Sequence, residues 1–380
     1  MRRPPQSPTR RRTGFTMIEI LVVILIIAIL MALLLPAINA AVNAANNARV
    51  AAEQQNLQTA LADFKNKYGE YPPSRIILYN LVAGTTAAPY GASATAVTVP
   101  AGAVGTPEID LGDLNQRTVR AMRKYFSRAA AYFPTTGTAS VTITWSSGTN
   151  ATNNGYVILS GDECLVFFLG GMPQAVSTTS GSGMAVTGFS RDPANPFAFA
   201  SNATGTASRT TPLFEFAPQR LVDVDGDGFP SYIDPLSANN VVAEQHPYAY
   251  FSAYGNNGYD PNDCNYPQLD DAGNAIARSL YLNFAVHGGG RVTASAGPNP
   301  YTIGDADPAT PTTNMNWVNP QTFQLISAGR DGIWGLGGPY DASSTSNKLP
   351  VGFAQDPSNA STVRRFERDN ITNFSGGRLD

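Results

Sequence analysis

The sequence predicts an α+β fold: a long N-terminal helix, half in a membrane and half outside it, packed on an antiparallel sheet with large loop insertions. Three observations carry this prediction. Residues 15–35 form an apolar run of 21 residues with a single charge. Residues 37–67 continue as a helical pattern rich in Ala, Gln, Leu, Asn and Glu. From Tyr71 onward, short alternating or apolar runs are separated by stretches rich in Gly, Pro, Ser and Thr, the pattern of strands between loops.

The 380 residues suit one large domain or two small ones. Charged residues make up only 14%, which points to an extended, loop-rich exported protein, and aromatics at 10% argue against wholesale disorder. The net charge of −3 is uneven: five arginines precede residue 15 and no acid does. Without them, 20 basic residues face 28 acidic ones, so the remainder carries −8. A mildly acidic body gives no reason to expect nucleic-acid binding and suits cations better.

At about 1.5 Å per residue, the run 15–35 spans roughly 30 Å, the thickness of a bilayer core. Arginines lie before it and none inside it, so the positive-inside rule places the N-terminus in the cytoplasm and the body across the membrane. An ordinary secretory signal fits poorly, because the run is too long and no small-residue cleavage site closes it. Val42, Ala45, Val50, Leu57, Leu61 and Phe64 extend the apolar positions, mostly on one helical face. Pro36 introduces a mild kink, and Tyr71-Pro72-Pro73 ends a helix of about fifty residues. Glu19 is the odd residue. A carboxylate in such a segment costs about 2.5–3.5 kcal/mol at the helix centre and less near the interface. It is either an acid at headgroup level or a functional group.

Gly14-Phe15-Thr16-Met17-Ile18-Glu19 resembles the processing site of type IV prepilins and of the related pseudopilins of type II secretion. The resemblance covers residues 1–73. It implies a basic leader, 1–14, cut by a prepilin peptidase between Gly14 and Phe15, with Phe15 then N-methylated. Glu19 becomes the family's hallmark fifth residue, and Pro36 falls at another frequent family position. It also implies filament assembly through the helix, 15–70. A buried ion pair is favourable only with both partners present, so a neighbour's Glu19 meeting the new α-amino group sets axial register.

The body, 71–380, is read element by element. Residues 83–107 are loop or weak edge strand, 108–133 an amphipathic helix, and 139–146 and 156–159 strands. Cys164 to Leu169 is a buried strand or helix, and 175–212 is loop-rich. Late strands are expected at 213–216, 249–252, 280–284 and 322–326. No repeat of fixed period occurs.

Residues 223–234, D-V-D-G-D-G-F-P-S-Y-I-D, fit the twelve-residue calcium loop. Asp223, Asp225 and Asp227 supply carboxylates at alternate positions, Gly228 allows the sharp bend, Phe229 offers its carbonyl, Ser231 holds a water, and Asp234 closes the shell. Four clustered acids repel one another unless a hard cation neutralises them. The closing Asp makes the loop resemble the short calcium repeats of dockerins and thrombospondins, a structural Ca2+ site rather than a switch. An acidic turn with no ion is the plainer alternative. A second patch, S-A-G-R-D-G at 327–332 with D-N-I-T-N at 369–373, resembles the C-terminal calcium segment of major pseudopilins. The resemblance makes Asp331, Asp369 and Asn370 candidate ligands, although about 35 residues separate the halves, more than that pattern has.

Cys164 and Cys264 either pair in an oxidising compartment or remain two buried thiols; no C-x-x-C supports a zinc or redox site. The acidic turns at 259–263 and 305–307 read as solvated loops, and His246 and His287 as structural or surface residues. No hydrolase, nucleotide-binding or metalloprotease motif appears. The expectation is a non-enzymatic filament subunit, minor or specialised because its body is large. It is anchored in the cytoplasmic (inner) membrane with a periplasmic body, and its partners are prepilin peptidase and other pilin-type subunits. The alternative is a membrane-anchored calcium-dependent binding or adhesion module, or an enzyme, that uses this helix for export.

Overall fold

The computed structural model describes residues 15–84, 89–91, 97–98, 108–109, 111–145, 156–178, 181–198, 208–223, 227–237, 246–253, 258–259, 300–303, 316–332, 334, 337–345, 347–350 and 364–379. Helix α1, Met17–Tyr68, is continuous for 52 residues with Pro36 inside it. The chain falls into two compact units, Met1–Asn46 and Asn47–Asp380, so the C-terminal part of α1 belongs with the body.

Within the second unit, α1 buries Val50, Gln54, Leu57, Ala60, Leu61 and Phe64. These recur at intervals of three and four residues, one helical stripe. Strand β1 (Ile76–Tyr79) follows, then helix α2 (Leu111–Tyr125), and β2 (Tyr156–Leu159), which pairs antiparallel with β1 through Ile76 opposite Leu159. Helix α3 (Gly161–Gly170) is buried at all ten positions. That explains why Cys164–Leu169 is a continuous apolar run: a helix covered on every side has no polar face. A capping box of Ser160 and Glu163 starts it. Gly161 lies so close to the sheet that a Cβ there would sit 1.9 Å from the Tyr250 carbonyl oxygen.

Hairpin β3 (Pro173–Thr178) and β4 (Gly181–Val186) follows, then the short pair β5 (Leu221–Val222) and β6 (Ser231–Tyr232). Strands β7 (Ala249–Ser252), β8 (Phe323–Ser327), β9 (Ile371–Thr372) and β10 (Gly377–Arg378) form an antiparallel four-stranded sheet in the order β10-β9-β8-β7. Leu325 lies opposite Tyr250, and Ser327 opposite Ile371.

Several expectations are corrected. The predicted strand at 139–146 reduces, in its described part, to one bridge between Ile143 and Leu81. Beyond it the Trp145 amide bonds the Asn80 side chain and its indole bonds the Tyr79 carbonyl, so side chains replace the ladder. The predicted strand at 213–216 is irregular, because the Leu213 and Phe214 amides both donate to Leu169 O at the end of α3. The loop expected at 175–212 contains the β3–β4 hairpin. The helix expected over 108–133 stops at Tyr125 and is followed by a 3-10 turn, Ala130–Tyr132. The last predicted strand is shifted by one residue, and 280–284 lies outside the described residues.

Candidate functional site

The start of α1 is built from a local signal. Thr16 is its N-cap and Glu19 its third residue. The Glu19 amide donates to Thr16 Oγ1 at 3.3 Å, and Glu19 Oε2 accepts from the Thr16 amide at 2.7 Å and from its hydroxyl at 2.8 Å. This is a reciprocal capping box, with T-x-x-E as its local sequence signature. In the single chain the acid therefore satisfies its own helix end. The side chains that follow remain bare: Phe15 is 83% exposed and Met17 90%, whereas Leu57 and Leu61 are fully buried. Among the described residues, α1 is the helix long and apolar enough to cross a membrane, with a mean hydropathy of 3.3 over its apolar window. Gly14 lies outside the described residues.

The acidic loop follows β5. Asp223 Oδ2 accepts from the Gly228 amide at 3.0 Å, and Asp227 Oδ1 from the Phe229 amide at 2.7 Å. Gly228 adopts φ +96, the bend assigned to it. The Phe229 ring is buried 5.8 Å from that of Phe167 and anchors the loop to α3. Asp225 lies outside the described residues. Two side chains face elsewhere than the calcium pattern assigns. Ser231 donates to the fully buried Asp162 at 2.6 Å. Burial raises the Asp162 pKa, and the Ser160 and Ser231 hydroxyls pull it back only in part. Asp234 accepts from the Leu236 amide at 2.5 Å, from the Ser237 amide at 3.3 Å and from the Ser327 hydroxyl. Burial pushes the Asp234 carboxyl up to about 6 against these bonds. For a calcium ion, Asp223 and Asp227 fit as acids held on their own loop, while Asp234 is already engaged by the Leu236 and Ser237 amides and the Ser327 hydroxyl. Among the described residues, no three acidic, histidine or cysteine side chains converge as a metal cluster.

The same Ser327 joins the loop to the C-terminal patch. Its Oγ accepts from the Gly329 amide at 3.2 Å. Gly329, at φ +68, lies against Asp369, where a Cβ would come within 2.4 Å of the Asp369 carbonyl oxygen. Asp369 Oδ2 accepts from the Arg330 amide at 2.8 Å and from the Asp331 amide at 3.2 Å. Asn370 is buried and donates to Trp334 O at 2.8 Å and to the Tyr301 hydroxyl at 3.3 Å. Asp331 is exposed. The two acidic motifs, separate in sequence, are thus neighbours through Asp234 and Ser327. His246 packs edge-on to Trp334 with ring centroids 5.0 Å apart. Cys164 is buried with its Sγ 3.6 Å from Leu159 O; Cys264 lies outside the described residues.

One constellation escaped the sequence reading. Glu53 on α1 accepts from Arg220 Nη1 at 2.6 Å, Arg220 Nη2 at 2.7 Å, the Tyr232 hydroxyl at 2.9 Å and the Tyr248 hydroxyl at 2.7 Å. Arg220 also donates through Nε to Ile233 O at 2.7 Å and stacks over the Tyr232 ring at 4.2 Å. The next residue, Gln54, donates to Ile371 O in β9 at 2.8 Å. Helix α1 therefore grips both the far side of the acidic loop and the C-terminal strand. The available signal was Gln54, a polar residue inside the stripe Val50, Leu57, Leu61 and Phe64.

Residues 9–35 match the family described as "Prokaryotic N-terminal methylation motif". No curated protein and no solved structure matches the chain.

Proposed function

We propose that this chain, which carries the prokaryotic N-terminal methylation motif on an apolar single-pass helix, is a structural, non-enzymatic subunit of a type IV pilus-like or type II secretion pseudopilus filament. The match over residues 9–35 carries the reading, and the bare apolar half of α1 supports membrane anchoring. The large body favours a minor or specialised subunit. In this reading the leader lies in the cytoplasm, the body lies outside the cytoplasmic membrane in the periplasm, and prepilin peptidase cuts after Gly14.

Cleavage turns the Phe15 amide nitrogen into an α-amino cation. Glu19 of an adjoining subunit exchanges its Thr16 hydrogen bonds for that cation, an ion pair that is favourable in an apolar stack only when both charges are present. Intact-mass measurement and N-terminal sequencing of the mature protein test the reading. The expected start is a methylated Phe15; an intact leader on chain recovered from filament-forming cells overturns it.

Calcium belongs to the same proposal. The ion would be held by Asp223, Asp225, Asp227, the Phe229 carbonyl and Asp234. Asp331, Asp369 and Asn370 form the second candidate set. A higher melting temperature with calcium than with chelator is expected, and superimposable melts remove the ion from the account.

A further inference from the structure

We propose that a cavity between the end of α1, the end of α2 and the segments 188–196 and 210–213 binds a small aromatic carboxylate. The cavity encloses about 400 Å³, within the range of small-molecule sites. Its apolar wall is built from rings: Tyr68, Tyr125, Phe126, Phe168 and Phe189. These already pack edge to face, with centroids 4.8 Å apart for Phe126 and Phe189, 5.1 Å for Tyr68 and Tyr125, and 5.5 Å for Tyr125 and Phe168. Tyr68, Phe126, Phe189 and the adjoining Leu213 are only half-buried, so among the described residues this ring-rich surface stays partly open, with the Lys67 ammonium 5.0 Å from the Tyr68 ring centre. A flat aromatic body completes the edge-to-face arrangement, which is worth more than area burial alone.

The rim supplies the charge preference. Lys67, Arg128 and Arg191 line the cavity and are exposed, and among the described residues no Asp or Glu lines it. Asp192, next in sequence to Arg191, is turned back onto the Ala194 amide at 2.9 Å. Three cations at one mouth contrast with a body that is acidic beyond its leader. Guanidinium groups recognise carboxylates through paired hydrogen bonds, and a low-dielectric wall strengthens that attraction. Rings inside and arginines outside therefore select a ligand with a compact aromatic body and one anionic end. The cavity's size excludes a folded partner.

Isothermal titration of the full chain in lipid nanodiscs with 2-naphthoate, corrected for empty nanodiscs, tests the proposal. Saturable one-to-one binding is expected. It should weaken at least about tenfold in the triple variant Lys67→Gln, Arg128→Gln, Arg191→Gln, whose exposed positions leave the fold intact, and by a similar factor for the uncharged 2-naphthamide. Leu213→Trp, which fills the cavity, should abolish binding. Absence of saturable binding, equal affinity in the triple variant, or equal affinity for the amide overturns the proposal. Tighter binding of octanoate than of 2-naphthoate overturns the aromatic assignment.

Discussion

Glu53 gathers four donors from two other stretches of chain onto one carboxylate. Burial works to raise its pKa, but Arg220 and the two tyrosine hydroxyls outweigh burial and hold it below the ordinary value of 4.5. Because the folded value is depressed, the stabilisation is fully present above about pH 4.5 and is lost as pH falls through the folded value. The urea midpoint of the wild type should therefore fall with acidification below that point. Glu53→Ala, which strands the buried Arg220, should lower stability by about 3–5 kcal/mol at neutral pH and remove that acid-dependent component. Apart from the polar Gln54 beside it in the buried stripe, the sequence carries no sign of these partners. Arg220, Tyr232 and Tyr248 lie 167, 179 and 195 residues from Glu53, and no local pattern announces pairs at that range. Glu19 is the opposite case: its partner Thr16 is three residues away, and T-x-x-E spells the cap in the sequence.

At the scale of elements, helices were more legible than strands. The apolar stripe of α1 and the amphipathic pattern of α2 are local periodicities, and each helix formed within its pattern, α2 over the shorter span Leu111–Tyr125. Strands depend on what pairs with them. Ala249–Ser252 found β8, whereas 213–216, equally apolar, was recruited to close the end of α3. The β3–β4 hairpin went unnoticed because its Ser, Thr and Gly residues resemble a loop. Two substitutions test how these elements are held. Leu61→Ala should cost about 2–5 kcal/mol in chemical denaturation, as expected for a fully buried leucine, while Leu25→Ala, on the bare half of the same helix, should leave the body's unfolding unchanged. Gly161→Ala should be more damaging than its size suggests, since the added methyl would overlap the Tyr250 carbonyl of β7. Loss of cooperative melting, read by circular dichroism, is the expected outcome.

For the whole molecule, the N-terminal motif was the most legible feature, because it is a contiguous run of residues whose recognition needs no tertiary contact. The acidic patches were legible as motifs but not as neighbours; their junction at Asp234 and Ser327 is a product of folding. Glu19→Ala should leave cleavage intact and abolish filament formation, checked by immunoblot of sheared filaments against whole cells. Because burial on α1 begins at Val50, residues 47–380 expressed without the apolar half should melt cooperatively in detergent-free buffer. The bare half has a wider consequence. Nineteen large apolar side chains between Phe15 and Val42 stand uncovered; hiding them is worth on the order of 30 kcal/mol, even at about 1.5 kcal/mol each. No such molecule can wait in water for its turn. On the filament reading proposed above, each copy would pass directly from lipid to the flank of its predecessor, so a fibre would lengthen from the end rooted in the bilayer.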